Sequence, residues 1–449
     1  MNDRTVPQPL SLDEAFAIGR VPPRVLLVIV LCLVATATEG YDFQSMSLAA
    51  PLLARAWRLS PGGIGLLLTT SVAGVVAGSL FLAPYGDRYG RRPCALAGLL
   101  IAVIFTTACA FAPNMDVLLL TRALAGLGIG LATPNLNVIA METSPLRWRT
   151  LSIVLVSCGY PLGSTVGAMV ASAFVETYGY KPIFLLAGAA TATILLALVV
   201  GLPESPYFLA KSPAHREKMH RLMRALTGQV QVAVTEDFQD KPKLKSNIAA
   251  LLTSDRRMTT LLLWLLNFMG FAMLYFFVSW LPSLLANRGL SPAATLRAVG
   301  LFNAGGFVGA ILLALLLRRL RATFVLSLAY LVAAAAVVIL ALLAHADGQF
   351  LLAVGLAGGA IIGSQFCLTA VVNQFYPADI RVSAGGYAAG AGRLGAVLAP
   401  MAGALALSRF KSSAQVFLIT VVPSLIALAI VLWMGIAKSL EQPDSSDPA

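Results

Sequence analysis

Runs of about twenty apolar residues recur along this chain, at roughly 25–50, 62–83, 93–112, 116–141, 150–174, 180–202, 258–287, 293–317, 322–345, 349–376, 382–408 and 413–437. At 1.5 Å per helical residue, each is long enough to cross a hydrocarbon core of about 30 Å. Backbone polar groups find no water there, so each run is expected to satisfy them internally as a helix. The alternating ten-residue pattern of a membrane barrel is absent. A chain of 449 residues that is 58% hydrophobic and 12% charged is not a soluble domain. The expected fold is an all-α polytopic membrane protein, with twelve transmembrane helices in two six-helix, pseudo-symmetric halves. The halves are expected at 25–202 and 258–437, with an N-terminal segment 1–24, a polar linker 203–257 and a tail 438–449. The first run is too long for a signal peptide and lacks a small-residue cleavage site, so it is expected to remain as a spanning helix.

The net charge of +12 suggests nucleic acid only until the charges are placed. Of the 32 Lys and Arg, 23 fall on one side if the N-terminus, the linker, the even-to-odd loops and the tail share that side. Seven fall on the other side: Arg55, Arg58, Lys181, Arg288, Arg297, Arg409 and Lys411. Arg122 and Arg393 lie within apolar runs. This asymmetry is a topology signal and puts both termini in the cytoplasm. It leaves no reason to expect a nucleic-acid partner. The five cysteines (Cys32, Cys94, Cys109, Cys158 and Cys367) are scattered through apolar runs, which fits neither a disulfide framework nor a metal site. His215, His220 and His345 lie in loops and form no nucleophile–base or metal spacing. No enzyme chemistry and no cofactor are expected, and a monomer is the expected unit.

An internal repeat supports the two halves. A shift of 232 residues aligns Gly126 with Gly358, Pro145 with Pro377, Arg149 with Arg381 and Gly163 with Gly395. A shift of 231 aligns Pro51 with Pro282 and Gly78 with Gly309. Parallel six-helix repeats with a site between them near the midplane describe a secondary transporter. The repeat fails at the acids: Asp42 aligns with Met273, Asp87 with Arg318 and Glu142 with Gln374.

Glu39 and Asp42 stand in the first apolar run, three residues apart and so on one helix face. Facing lipid, each would cost several kcal/mol, about 2.5 to 3.5 on insertion scales. They therefore face a cavity or a partner, and the default reading is a proton, ion or substrate pathway. If the first helix ended at Thr38 they would lie in a loop; the apolar stretch Phe43 to Leu53 favours a continuous helix. Arg122 and Arg393, one in each half, can bind a carboxylate bidentately and cannot be switched off near neutral pH. One can hold a substrate carboxylate while the other pairs with Glu39 or Asp42; each can also be a structural ion pair. Gln44, Asn135, Tyr160, Gln365 and Asn373 supply further hydrogen-bonding groups, and Phe268, Phe271 and Tyr275 can stack on a ring.

The loop Ala83-Pro84-Tyr85-Gly86-Asp87-Arg88-Tyr89-Gly90-Arg91-Arg92 resembles the signature of the major facilitator superfamily, with Ala83 where the pattern usually has Gly. Asp87, Arg88, Gly90, Arg91 and Arg92 are the candidate gating residues. Glu142 joins them, or pairs locally with Arg147 or Arg149. The copy expected after the eighth run is reduced to Arg318-Arg319-Leu320-Arg321, with no acid. Glu39-Gly40-Tyr41-Asp42, Arg122 to Asn137, Pro203-Glu204-Ser205-Pro206, Tyr376 to Arg381 and Gly392-Arg393-Leu394-Gly395 are similar to the aromatic acid:proton symporter family. Within it, Glu39, Leu262 to Leu265 and Ser279-Trp280-Leu281-Pro282 look most like the 3-(3-hydroxyphenyl)propionate transporters. The resemblance implies import of a small aromatic acid anion together with protons, for catabolism. The stretch Gly159 to Gly163, with Pro161, is similar to an exporter motif and keeps organic-anion efflux or exchange open. A non-transporting membrane sensor is disfavoured by the short polar linker.

Overall fold

The computed structural model describes residues 22–211, 215–227, 248–253, 256–343, 348–376, 378–410 and 412–441. Most of the N-terminal segment, part of the linker, His345, Pro377, Lys411 and the acidic end of the tail lie outside them. Twelve helices among the described residues are long and apolar enough to cross a membrane. In chain order these are α1 (Pro23–Trp57), α2 (Pro61–Ala77), α3 (Arg91–Cys109), α4 (Met115–Glu142), α5 (Arg149–Ser172) and α6 (Lys181–Gly201). The second six are α7 (Arg257–Ala286), α8 (Pro292–Leu316), α9 (Ala322–Leu342), α10 (Gly348–Phe375), α11 (Ala378–Arg409) and α12 (Ser413–Glu441). The first helix is continuous through Glu39, Asp42 and Pro51, so the two acids are intrahelical. α2 runs on through a π-turn, Gly78–Leu82, and a tight turn, Ala83–Tyr85, into the short helix Gly86–Tyr89. The linker holds more structure than a plain tether. Within it Arg216–Thr227 is a helix that buries Met219, Met223 and Leu226 beside the start of α1 and leaves Arg216, Lys218, Arg221 and Arg224 outward.

The repeat in the sequence is a repeat in packing. Ser60 and Ser291, 231 residues apart, cap α2 and α8 in the same way, accepting from the amides of Gly63 and Ala294, each with proline next in the chain. Gly78 lets α2 approach α4 at Leu127 and Gly130, and Gly309 lets α8 approach α10 at Gly359. Gly163 seats α5 against Ala37 of α1, and Gly395 seats α11 against Phe268 of α7. A side chain at any of these four positions would collide with backbone, so the small residues set how closely the helices approach.

The linker side of the bundle is the end where α6 finishes and α7 begins. Toward the opposite, far side, one apolar core joins both halves, including Leu48, Leu53, Leu67 and Phe184 from the first and Phe277, Trp280, Leu296 and Phe302 from the second. Gly65 of α2 faces Ala404 of α11 there, and Gly300 of α8 faces Thr165 of α5. Toward the linker side the core divides. One cluster belongs to α1, α3, α4, α5, α6 and the linker helix, and the other is built mainly from α7 to α12. Side chains at Gly385, Gly386 and Gly390, in the linker-side half of α11, would meet nothing within 4 Å among the described residues. The halves are therefore closed at the far side and splayed at the linker side.

Candidate functional site

The two halves meet at mid-depth around a small aromatic group. Phe43 of α1 lies 5.8 Å from the Tyr160 ring of α5 and 5.7 Å from the Tyr275 ring of α7. Phe271 stacks on Tyr275 at 6.2 Å. Val72, Ile129, Ala396 and Val397 pack around them. Arg393 lies at the middle of α11, on the stretch where Gly392 and Gly395 meet Phe271 and Phe268 of α7. It is partly exposed, and it makes no hydrogen bond or ion pair with any described residue. Gly392 beside it is occupied by the Phe271 ring, which holds this turn of α11 against α7. Neither carboxylate of α1 pairs with Arg393. Both acids are engaged within the first half.

Asp42 is fully buried and pairs with Arg122 of α4, Nη1 to Oδ1 at 3.3 Å. Thr106 of α3 donates to both of its carboxylate oxygens at 2.6 Å. Arg122 is equally enclosed: Nη2 donates to the Asp42 carbonyl at 3.1 Å, Nε to Ser71 at 3.3 Å, and the Phe184 ring lies 5.8 Å from the guanidinium carbon. Of the two intramembrane arginines, Arg122 is thus the one enclosed by partners of the first half, with 1% of its surface exposed. Glu39, one turn earlier on α1, has a different environment. Its Oε2 accepts from Thr133 of α4 at 2.8 Å, and its Oε1, though buried, has no partner. No cation pairs with it among the described residues.

The polar candidates divide in the same way. Gln44 accepts from Asn303 of α8 at 3.0 Å, a direct bond between the halves, and its Nε2 is buried without a partner. Gln365 lies beside Gly270 of α7 and near the Tyr330 hydroxyl, its Oε1 unsatisfied. Asn135 does not belong with them. Its amide donates to the carbonyls of Leu131 and Ala83, at 2.8 and 3.3 Å, and it packs on Gly86, bracing the loop that follows α2. The side chain of Asn373 lies outside the described residues.

That loop forms a second charged centre, at the linker side. Arg91 pairs with Asp87 at 3.1 Å and with Glu142 at 3.2 Å. Glu142 also accepts a short hydrogen bond from Ser205. Glu204, for which the sequence suggested no role, collects three backbone amides on one oxygen: Arg91 at 3.0 Å, Arg92 at 3.1 Å and Ser205 at 2.9 Å. It thereby caps the start of α3 from the end of α6, where an anion is favoured by the exposed amides. Gly90 makes the turn possible with φ of 103°, and a side chain there would strike Glu204. Arg92 reaches the Val199 carbonyl at 2.6 Å, and the Arg88 guanidinium lies over the Tyr89 ring at 5.3 Å. Asp87, Arg91, Arg92 and Glu142 are thus bonded to partners in the first half and at the start of the linker.

Known proteins share this architecture. The profile of the Major Facilitator Superfamily matches residues 32–400. The 4-hydroxybenzoate transporter of Acinetobacter baylyi is 30% identical, over 91% of this chain and 90% of its own. The gallate transporter of Pseudomonas putida is 30% identical over 94% of each, and the 3-(3-hydroxy-phenyl)propionate transporter of Escherichia coli is 28% identical over 84% of this chain and 86% of its own. Among solved structures, the inward-open xylose transporter of E. coli superposes with a TM-score of 0.72 at 15% identity, covering 92% of this chain and 95% of that one, which shows the fold alone. The superfamily match and the end-to-end relatives together decide the matter: this multi-pass membrane protein belongs to the major facilitator superfamily, in its aromatic acid transporter family.

Proposed function

We propose that the protein imports a small aromatic carboxylate together with protons, by rocking its two halves around the mid-depth site. The observation that carries this reading is Arg393. It is a cation halfway along a membrane helix, without a partner among the described residues, beside a cluster of aromatic rings at the junction of the halves. An unpaired guanidinium in the membrane is costly, and a carboxylate ligand satisfies it bidentately while its ring packs on Phe43, Tyr160 and Tyr275. The relatives that carry 4-hydroxybenzoate and gallate have the same chemistry in their cargo, a benzoate with ring hydroxyls, and Gln365 and Gln44 offer unsatisfied polar atoms for such hydroxyls.

In this mechanism Glu39 carries the proton. A buried carboxylate without a cation is tolerable in its neutral form, whereas Asp42 is paired with Arg122. The linker, both termini and the splayed side face the cytoplasm, and the units 25–202 and 258–437 move as the two rocking bodies. Binding from outside, protonation and closure would then deliver substrate and proton inward. Efflux by the same machinery would reverse only the direction. Uptake of labelled 4-hydroxybenzoate into intact cells expressing the protein tests the reading. Accumulation is expected, and a protonophore is expected to abolish it. Accumulation that survives collapse of the proton gradient sinks the symport mechanism, and protein-dependent depletion of preloaded substrate favours export.

A further inference from the structure

A second feature of the membrane region lies away from the central site. α8, α9 and α10 enclose a crevice of about 690 Å³ on the outer surface of the second half. Its walls include Leu301, Val308, Leu312 and Leu316 of α8, Leu328 of α9 and Leu352 of α10. Val308, Leu312 and Leu352 are each more than half exposed, so the crevice opens toward the surrounding hydrocarbon. From Leu301 to Leu316 it extends about 22 Å along the helix, more than the roughly 15 Å depth of one leaflet's hydrocarbon. Gly305 and Gly309 of α8 are pressed against Gly355 and Gly359 of α10, which keeps the floor of the crevice low.

The linker-side mouth of this crevice is basic. Leu316 is the last residue of α8, and the chain continues at once into Arg318-Arg319-Leu320-Arg321 before α9 begins at Ala322. The backbone here winds tightly, with the amides of Arg318, Arg319 and Leu320 bonded to the carbonyls of Leu315 and Leu316, which keeps the arginines within two turns of the crevice's last lining residue on α8. All three arginines are exposed, and none makes a side-chain hydrogen bond or ion pair with a described residue. The equivalent loop of the first half carries Asp87 where this one has Arg318, and uses the acid to pair with Arg91. The second half therefore lacks the acid and presents three unpaired cations at the end of a lipid-depth groove.

We infer that this crevice and the 318–321 loop form a binding site for an anionic glycerophospholipid, whose acyl chain lies in the α8–α9–α10 crevice and whose phosphate is held by Arg318, Arg319 and Arg321. Guanidinium groups recognise phosphate oxygens bidentately, and the apolar walls offer an acyl chain a fixed bed. The linker-side leaflet supplies the lipid, since the arginines sit at that surface.

Native mass spectrometry of the purified full-length protein, with phosphatidylglycerol and phosphatidylcholine added at equal concentration, tests the site. The wild-type protein is expected to retain phosphatidylglycerol preferentially. R318Q/R319Q/R321Q is expected to lower that retention by about tenfold or more, given the attraction of each basic residue to an anionic surface. V308W, which fills the crevice from an exposed position, is expected to lower it as well, and K218Q/R221Q on the linker helix to leave it unchanged. Equal retention of the two lipids by the wild type overturns the proposal, as does an equal loss in K218Q/R221Q. Should the triple variant fail to fold, V308W decides alone, and undiminished phosphatidylglycerol binding there refutes the site. The readout involves no transport, so its outcome is independent of the substrate assigned above.

Discussion

Two carboxylates one helical turn apart stand in different surroundings. Asp42 has an arginine and a threonine on its oxygens, whereas Glu39 has a threonine on one oxygen and nothing on the other. Asp42→Asn would strand Arg122 without its anion inside the first half. Removing one partner of a buried pair costs about 3 to 5 kcal/mol, so the variant should show a clearly lowered thermal unfolding midpoint in detergent. Glu39→Gln keeps shape and hydrogen bonding but cannot exchange a proton; it should fold normally, retain counterflow of substrate and lose gradient-driven accumulation. A Gln variant that still accumulates substrate moves the proton site elsewhere. Arg393→Lys should weaken 4-hydroxybenzoate binding by about 1.5 to 3 kcal/mol, because a point charge replaces a planar fork, and wild-type affinity in the folded variant would remove Arg393 from the site. Glu39, Asp42, Arg122 and Arg393 stand out in the sequence because a charge in an apolar run needs a partner or a cavity. Their pairing is not: Arg122 and Arg393 look alike as letters, and only the approach of α4 to α1 separates a structural cation from a free one. Asn135 misleads for the same reason, since an amide in a membrane helix does not announce that the carbonyl of Ala83 will satisfy it.

At the level of elements, the loop after α2 is built as a junction of three helix ends. Glu204 at the end of α6 caps α3, Glu142 at the end of α4 takes Arg91 and Ser205, and Gly90 supplies the turn between them. The loop signature makes Asp87 to Arg92 visible in the sequence. Glu204 stands in the stretch Pro203-Glu204-Ser205-Pro206, yet its role is hidden there, because a cap supplied from 112 residues away leaves no local pattern. Asp87 is largely exposed and its pair with Arg91 is of the surface kind, worth under about 1 kcal/mol, so in this conformation the junction leans on Glu204 and Glu142. Glu204→Ala strips an acceptor from three amides at once. It should destabilise the protein by about 1 to 2 kcal/mol, the upper range of a lost cap, and slow turnover while leaving substrate affinity intact. Scanning calorimetry and transport by reconstituted vesicles would read both effects. An unchanged melting temperature would mean that water replaces the carboxylate without loss.

For the whole molecule, twelve helices and a two-fold repeat can be read from periodicity and from glycines 231 or 232 residues apart, because packing of α2 on α4 and of α8 on α10 needs small residues at matching positions. Which side stands open cannot be read, since a chain that works by alternating access must support both states within a few kcal/mol. The far-side closure rests on close contact between the halves, and Gly65 of α2 is a tight point within it: a Cβ there would lie 2.5 Å from that of Ala404 and 3.4 Å from the Pro400 carbonyl of α11. Gly65→Leu therefore acts as a wedge at the closed end, while the splayed linker side has no matching clash. Overpacking of this kind costs about 1 to 3 kcal/mol, and if it falls on the closed state alone it shifts the balance by roughly 5- to 150-fold toward opening on the far side. Ser283→Cys provides a reporter, because Ser283 is buried near the far-side end of α7, beside Trp280 and Arg55, and lines a cavity of about 230 Å³. The five native cysteines are all buried, so a membrane-impermeant maleimide reads the new thiol against a low background. Labelling of the thiol at position 283 from the outside should rise at least fivefold when Gly65→Leu is added. Labelling that stays level in a folded, membrane-inserted double variant would show that the contact between α2 and α11 does not hold the far side shut, and that closure lies instead with α1 against α7 or α5 against α8.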